Sequence, residues 1–317
     1  MTGDAPRDAA PGGNGNGPGG NGPRPGGGAL GERVARVCGG ALAGPPRRVT
    51  GGDICEAHRV QLDDGRTVFA KTRADAPDDF FTAEATGLDL LRATGAVAVP
   101  EVLAALPGLL VLEWVEPGAP TPLQAERLGR QLAALHATPA PHYGTSGPLY
   151  LGPVPLATPE RVADPAAWPA WHAANRLLPL LRLAVDNGGI APGDARSVTE
   201  LCARVEELAG PPQPPAVIHG DLWSGNILWT ARQRPRLIDP AAQGGHPETD
   251  LAFLELFGCP HLDRLIAAYR EVRPLPHRAA FVPFHQLHHI LVHAALFGGS
   301  YGPQAGETAR RALRAAG

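Results

Sequence analysis

The most constraining stretch of this 317-residue chain is His219-Gly220-Asp221-Leu222-Trp223-Ser224-Gly225-Asn226, followed by Ile238-Asp239-Pro240. Asn226 stands five positions after Asp221, and Asp239 stands eighteen after it. Each acid follows a short apolar run, Val217-Ile218 and Leu237-Ile238, of the kind that forms a buried strand. A single Asp or Asn usually does no more than satisfy its own turn. Two acids and an amide at these offsets, each beside a buried strand, offer a carboxylate for the proton of an attacking hydroxyl. They also offer hard oxygen donors for a Mg²⁺ ion bridging phosphates. The spacing therefore assigns Asp221 as general base and Asn226 and Asp239 as metal ligands.

Upstream residues extend this pattern. Lys71 closes the alternating run Thr67-Val68-Phe69-Ala70-Lys71, which pairs through the turn Asp63-Asp64-Gly65 with His58-Arg59-Val60-Gln61-Leu62. Glu84 lies on the amphipathic stretch 78–94, with Phe80, Phe81, Ala85, Leu88 and Leu91 as its apolar positions. Taken singly, Lys71 and Glu84 read as surface residues. In this order ahead of the loop they read as a lysine on the α- and β-phosphates of ATP, oriented by a helix glutamate. Gly51-Gly52 is a weak phosphate loop lacking G-x-G-x-x-G, and its backbone N–H groups are expected to cover the phosphates. Glu113-Trp114-Val115 falls where two lobes would join, which makes backbone groups of Glu113 and Val115 candidates for the adenine edge.

Further elements follow from periodicity. Leu30, Val34 and Val37 predict a helix from about Ala29, and strands are expected at Val97–Pro100 and Leu109–Glu113. Helical patterns cover Leu123–His136, Trp168–Asn187, Val198–Leu208 and most of the chain from Asp250 onward. The fold expected is α+β and bilobal, of the protein-kinase-like type. A small lobe at 29–115 carries an antiparallel sheet and one helix, and a larger, mainly helical lobe covers 116–317. ATP and Mg²⁺ belong in the cleft between them. Residues 1–28 are rich in Gly and Pro, with only Met1, Ala5, Ala9 and Ala10 as apolar content, and are expected to be a disordered tail.

Composition excludes other classes. With 28 Lys plus Arg against 31 Asp plus Glu, the net charge of −3 gives no basic field for a nucleic-acid backbone. The basic run Arg310-Arg311-Ala312-Leu313-Arg314 reads as the solvated last turn of a helix. Four scattered cysteines form no C-x-x-C pair and suit neither a disulfide scaffold nor a zinc site. No apolar run reaches the roughly 20 residues of a membrane span, so a cytoplasmic protein without a membrane partner is expected.

The loop and the tail together resemble the fructosamine kinase (ketosamine-3-kinase) family, which is related to aminoglycoside phosphotransferases. The matching residues are His219 to Asn226, Asp239-Pro240-Ala241, Gly245-His246-Pro247-Glu248-Thr249-Asp250-Leu251-Ala252 and Leu296-Phe297-Gly298-Gly299-Ser300-Tyr301. Arg176-Leu177-Leu178-Pro179, preceded by Trp168 and Trp171, resembles that family's substrate-side helix. The resemblance implies ATP-dependent phosphorylation of the third hydroxyl of ketosamines such as fructosamine or ribulosamine adducts. The phosphate makes the adduct unstable, so the outcome is deglycation. It also implies that Asp250 accepts backbone hydrogen bonds holding the loop. The chain departs from the family at Cys55, at Gln243-Gly244, and at Val292 and Ala295.

His285, His288, His289 and His293 recur at helical spacing without an acid or cysteine, and fit helix packing and acceptor-pocket lining better than a metal site. Trp223, His293 and Tyr301 are candidate substrate contacts, because an aromatic face suits sugars and cations. Cys55, beside the phosphate loop, would be redox-sensitive only if its thiolate were stabilised there. Two rival functions stay open at this level: phosphorylation of another hydroxyl acceptor, such as an aminoglycoside or choline-like compound, and a non-catalytic kinase-shaped nucleotide-binding protein.

Overall fold

The computed structural model describes residues 27–49, 54–275 and 278–315. Five short strands form one antiparallel sheet: β1 (Arg47–Val49), β2 (Glu56–Gln61), β3 (Thr67–Thr72), β4 (Val102–Leu106) and β5 (Leu109–Glu113), in the order β1-β2-β3-β5-β4. Alternation along these strands divides their side chains between two cores. Val60, Val68, Ala70, Leu109 and Val111 pack under helix α1 (Gly27–Cys38) with Leu30 and Val34. Leu110 and Leu112 face the other way, against Phe81, Leu88 and Leu91 of helix α2 (Phe80–Ala93). Lys71, one step out of phase with Val68 and Ala70, is thereby turned to the α2 side.

Helix α1 starts within the segment assigned to the tail, while the rest of that segment (1–26) lies outside the described residues, as does the glycine turn at 50–53. The small lobe has two helices, one per face of the sheet, at the two places where helical spacing was read, from about Ala29 and over 78–94. Val97–Pro100 is not a strand. Val99 and Val97 are buried against α2, and the segment is tied down by Leu237 N–H donating to the Ala98 carbonyl at 2.9 Å and Arg236 Nη1 donating to the Val99 carbonyl at 3.2 Å. Pro100 has no N–H to extend a ladder, and the strand forms beyond it as β4.

The second core does not stop at β5. It continues through helix α3 (Pro122–Leu135), capped by the Thr121 hydroxyl, to α9 (Leu262–Val272), which packs along α3. Gly129 makes that crossing possible, since a Cβ there would lie 2.1 Å from the Leu265 carbonyl oxygen. The third core is built by α4 (Trp168–His172), α5 (Leu178–Asp186), α6 (Pro192–Cys202), α7 (Val205–Leu208), α10 (Val282–Phe297) and α11 (Tyr301–Ala315). The periodic stretches expected as single helices are interrupted: Ala173–Leu177 is a π-helical turn between α4 and α5, and Ala203-Arg204 separates α6 from α7. Helix α10 is buried on nearly every face, as expected of a helix that is apolar all round.

Between these cores lie three two-stranded ribbons. The hairpin β6 (Tyr150–Leu151) and β7 (Val154–Pro155) flanks α2. Strand β8 (Ala216–Ile218) pairs with β11 (Gln243–Gly245), and β9 (Ile227–Leu228) pairs with β10 (Arg236–Leu237). The last two ribbons carry Asp221 and Asp239 in the turns between them. Helix α8 (Glu248–Phe257) follows β11 and passes beneath the loop.

Candidate active site

The loop 219–226 is held from below by one buried carboxylate. Asp250, on α8, accepts His219 N–H at 2.8 Å and Gly220 N–H at 2.9 Å, one on each oxygen. His136 Nε2 bonds the same carboxylate at 3.1 Å, while its Nδ1 lies 2.9 Å from the Tyr269 hydroxyl. Burial would raise the Asp250 carboxyl, but His136, His219 and the backbone donors outweigh it and hold it below the usual range. The His219 ring takes one tautomer: Nδ1 accepts Asp221 N–H at 3.2 Å, so Nε2 donates to the Ile238 carbonyl at 3.0 Å. Burial keeps this ring neutral. Gly220 sits at φ +80°, and a Cβ on it would lie 2.1 Å from the Ala241 carbonyl oxygen.

Asn226 joins the two acids. Its amide nitrogen donates to the Asp221 carboxylate at 3.0 Å, to the Asp221 carbonyl at 2.8 Å and, more weakly, to the Asp239 carbonyl at 3.5 Å. Asp239 is itself unusual, a non-glycine residue at φ +53°, and such backbone strain concentrates at functional sites. Its carboxylate accepts Lys71 Nζ at 3.0 Å, and Lys71 pairs in turn with Glu84 at 2.9 Å. The sequence-predicted Lys71, Glu84, Asp221, Asn226 and Asp239 thus form one connected chain of contacts. Gly87 lets α2 come close to it, with its Cβ position 3.2 Å from Pro240 Cγ and 3.5 Å from Ala242 Cβ.

Electrostatics follow from this packing. Burial, then the charge of Asp239, pushes the Asp221 carboxyl up to about 7. Burial pulls against the Lys71 ammonium, but Asp239 and Glu84 overturn it and keep it charged. For Asp239, burial acts upward and Lys71 more strongly downward, leaving the carboxylate ionised. Glu84 Oε1 is buried without a hydrogen-bond partner.

The donor set suits one kind of cation. Among the described residues no three His, Cys, Asp or Glu side chains gather closely enough to cage a metal. Asp239 is 39% exposed with one oxygen on Lys71, and the Asn226 amide nitrogen is committed to Asp221, which leaves its oxygen as the ligating atom. One carboxylate and one amide oxygen fit an ion that brings phosphate and water ligands with it, as Mg²⁺ does.

On the acceptor side the structure gathers more than was expected. Trp223 is 39% exposed and folds over Gly225, where a Cβ would lie 2.3 Å from the indole ring. Its ring meets Phe257 at 6.4 Å, Phe257 meets His293 at 5.0 Å, and His293 meets Tyr301 at 5.0 Å. Trp223, His293 and Tyr301 therefore share one aromatic surface, to which Phe257 and Phe297 also belong. His285, His288 and His289 are buried packing residues of α10; His289 stacks on Phe253 and its Nε2 lies 3.2 Å from the Gly220 carbonyl oxygen.

The remaining assignments divide. Gly51 and Gly52 lie outside the described residues. The Glu113 N–H is taken by the Glu101 carbonyl at 2.9 Å and its carboxylate accepts Arg236 at 2.8 Å, so of its backbone groups the carbonyl alone stays a candidate for a base edge. Val115 lies just past the end of β5, and among the described residues its backbone makes no hydrogen bond. Burial raises the Cys55 thiol, with Lys71 opposing only in part, which is the environment of an inert cysteine. His136, Tyr269 and Phe257 were not anticipated. His136 is 114 residues from Asp250, and nothing local in the sequence marks the pairing.

Comparison with known proteins places the chain among related ones. The sequence profile of the fructosamine kinase family matches residues 41–315. A probable ketoamine kinase from Thermus thermophilus is 37% identical over 274 residues, covering 84% of this chain and 94% of that protein. The crystal structure of a candidate fructosamine-3-kinase from Thermobifida fusca superposes with a TM-score of 0.83 at 43% identity, covering 90% of this chain and 99% of that one. A macrolide 2′-phosphotransferase from Brachybacterium faecium, at 21% identity and a TM-score of 0.60 over 88% of this chain and 97% of its own, shares the bilobal kinase-like fold. The chain belongs to the fructosamine kinase family, as a nucleotide-using phosphotransferase with an alcohol group as acceptor.

Proposed function

We propose that this protein transfers the γ-phosphoryl group of ATP to a sugar hydroxyl of ketosamines, and that the phosphorylated adduct then releases its amine. Asp221 is the base that takes the hydroxyl proton as the new P–O bond forms and the bond to the β-phosphate oxygen breaks. A carboxyl poised at about 7 is matched to that task at neutral pH. Lys71, held by Glu84, reaches the α- and β-phosphates, and releases Asp239 as it does so. Asp239 and Asn226 are the side chains that would hold Mg²⁺, which neutralises charge on the phosphate oxygens. The Glu113 carbonyl and the Val115 backbone are the candidates for the adenine edge. The aromatic surface of Trp223, Phe257, His293 and Tyr301 receives the acceptor. In this reading 29–115 is the nucleotide-binding lobe and 116–317 the catalytic and substrate lobe, of a cytoplasmic protein with four free cysteines.

The observation that carries this reading is the bridge of Asn226 from the Asp221 carboxylate to the Asp239 carbonyl, with Lys71 tying Asp239 back to Glu84. The third hydroxyl as the phosphorylated position, and deglycation as the outcome, rest on family membership. A coupled assay with ATP and Mg²⁺ tests the acceptor: fructosyl-lysine and ribulosyl-lysine should support turnover, kanamycin and choline should not. Turnover on kanamycin or choline alone would reject the acceptor class. ATP binding without turnover on any of them would reject catalysis.

A further inference from the structure

A second polar site lies against the far end of the loop. Arg176 is 2% exposed, among the most deeply buried large side chains of the protein. It stands in the π-helical turn Ala173–Leu177, a local widening of the helix often found at functional positions. Its partners are all neutral: Nη1 donates to the carbonyls of Ala157 at 2.6 Å and Asn175 at 2.9 Å, and Nη2 to Gln243 Oε1 at 2.8 Å. Its guanidinium also lies 4.7 Å from the centre of the Trp171 ring. Among the described residues no carboxylate forms an ion pair with it. A full positive charge without a counter-ion is among the costlier things to bury, and burial pulls Arg176 down to about 10.

Beside it is a cavity of about 20 Å³, lined by Arg176, His172, His288, Gln243, His246 and the backbone at Gly220. His172 Nε2 and His288 Nδ1 are buried without a hydrogen-bond partner, and the two rings are 5.6 Å apart. Burial, with Arg176 adding to it, keeps both imidazoles neutral, so each has one N–H to give. A guanidinium and two neutral imidazoles around one small space supply no negative charge to balance the first. The space is of the order needed by one water-sized body, since a water takes at least ~10–15 Å³, which excludes phosphate, sulfate and organic acids.

We propose that this cavity binds a single small monovalent anion of the halide class, held by the Arg176 guanidinium with His172 and His288 as N–H donors. The ion supplies the counter-charge that the chain does not, and it does so behind Gly220, the residue preceding the proposed base.

Two measurements on the full-length protein test this together. The first is the thermal midpoint in sodium chloride or bromide against sodium gluconate, whose anion is too large to enter, at matched ionic strength. The second is anomalous diffraction from bromide-soaked crystals. The expected result is a saturable rise of a few degrees in the halides, following the linkage of binding to stability, with a bromide peak in contact with Arg176. Arg176→Gln should abolish the halide-specific rise if it folds, and the wild-type diffraction result stands whether or not it does. Equal midpoints in the two salts, or a cavity holding only water in bromide, would overturn the proposal.

Discussion

Lys71 and Glu84 are 12% and 9% exposed in their side chains, and such a pair is worth most when one partner is removed. Breaking a buried ion pair costs about 3–5 kcal/mol because the other charge is stranded. Lys71→Met should therefore lower the thermal midpoint and, in the proposed mechanism, reduce kcat/KM for ATP by roughly 10²-fold, the scale of one lost charge-stabilising donor. Glu84→Gln keeps a hydrogen-bonding group and should cost less on both counts. Steady-state kinetics with ATP as the varied substrate separate the two variants, and equal kinetics for Lys71→Met and wild type would remove Lys71 from the phosphate site. Trp223 makes the complementary prediction on the acceptor side. Trp223→Ala should raise the KM for the ketosamine about tenfold, an aromatic–cation contact of ~1–2 kcal/mol, while leaving the KM for ATP near its wild-type value. An unchanged acceptor KM would show that the exposed indole only packs against Phe257.

Among the secondary-structure elements, α8 and the β8–β11 ribbon position the loop, and the sequence announced them unevenly. The apolar runs at Val217-Ile218 and Leu237-Ile238 were legible because a buried strand needs little else. The strand Gln243–Gly245 was not, because two of its three residues are glycines with no β propensity. Those glycines are required by close approach: a Cβ at Gly244 would lie 1.9 Å from the His142 carbonyl oxygen, and one at Gly245 2.2 Å from Ile218 Cδ1. Local alternation also misplaced a strand at Val97–Pro100, where burial against α2 rather than pairing decides the conformation. The catalytic spacing was legible since its offsets lie within one stretch of chain. The His136–Asp250 contact was not, because it is made only by tertiary packing. Asp250→Asn tests the anchoring role of α8. It weakens two buried backbone hydrogen bonds and the His136 pair, and should lower the thermal midpoint by roughly 10 °C, taking about 3 kcal/mol at a few degrees per kcal/mol. A shift below a degree or two would mean that the loop is held from elsewhere.

Across the whole molecule, the third core is built around neutral imidazoles. Burial holds His246 down to about 3, and His172, His285, His288 and His289 well below the ordinary value for histidine. In the unfolded chain these rings take up protons near pH 6.5, whereas in the native state they stay unprotonated. The unfolded state thus binds more protons, and stability falls as pH drops below about 6.5. Each ring withdraws ~1.4 kcal/mol per pH unit, while Asp221, Glu84 and Glu248, each pushed up to about 7, take up protons in the native state and return about three such increments, leaving a net loss of ~3 kcal/mol per unit. Denaturant melts should show the midpoint falling steeply between about pH 6 and pH 4.5. A flat profile over that range would mean that these rings are protonated in the native state.

The central claim is that Asp221 takes the proton of a ketosamine hydroxyl beside a nucleotide held by Lys71, Asn226 and Asp239. Its most direct test is the mass of fructosyl-lysine after incubation with ATP, Mg²⁺ and either wild type or Asp221→Asn. The account predicts a gain of one phosphoryl group with wild type. It predicts an initial rate lower by about 10²–10⁴-fold with the variant, while ATP binding is retained. Phosphorylation by Asp221→Asn at a rate close to wild type would contradict it.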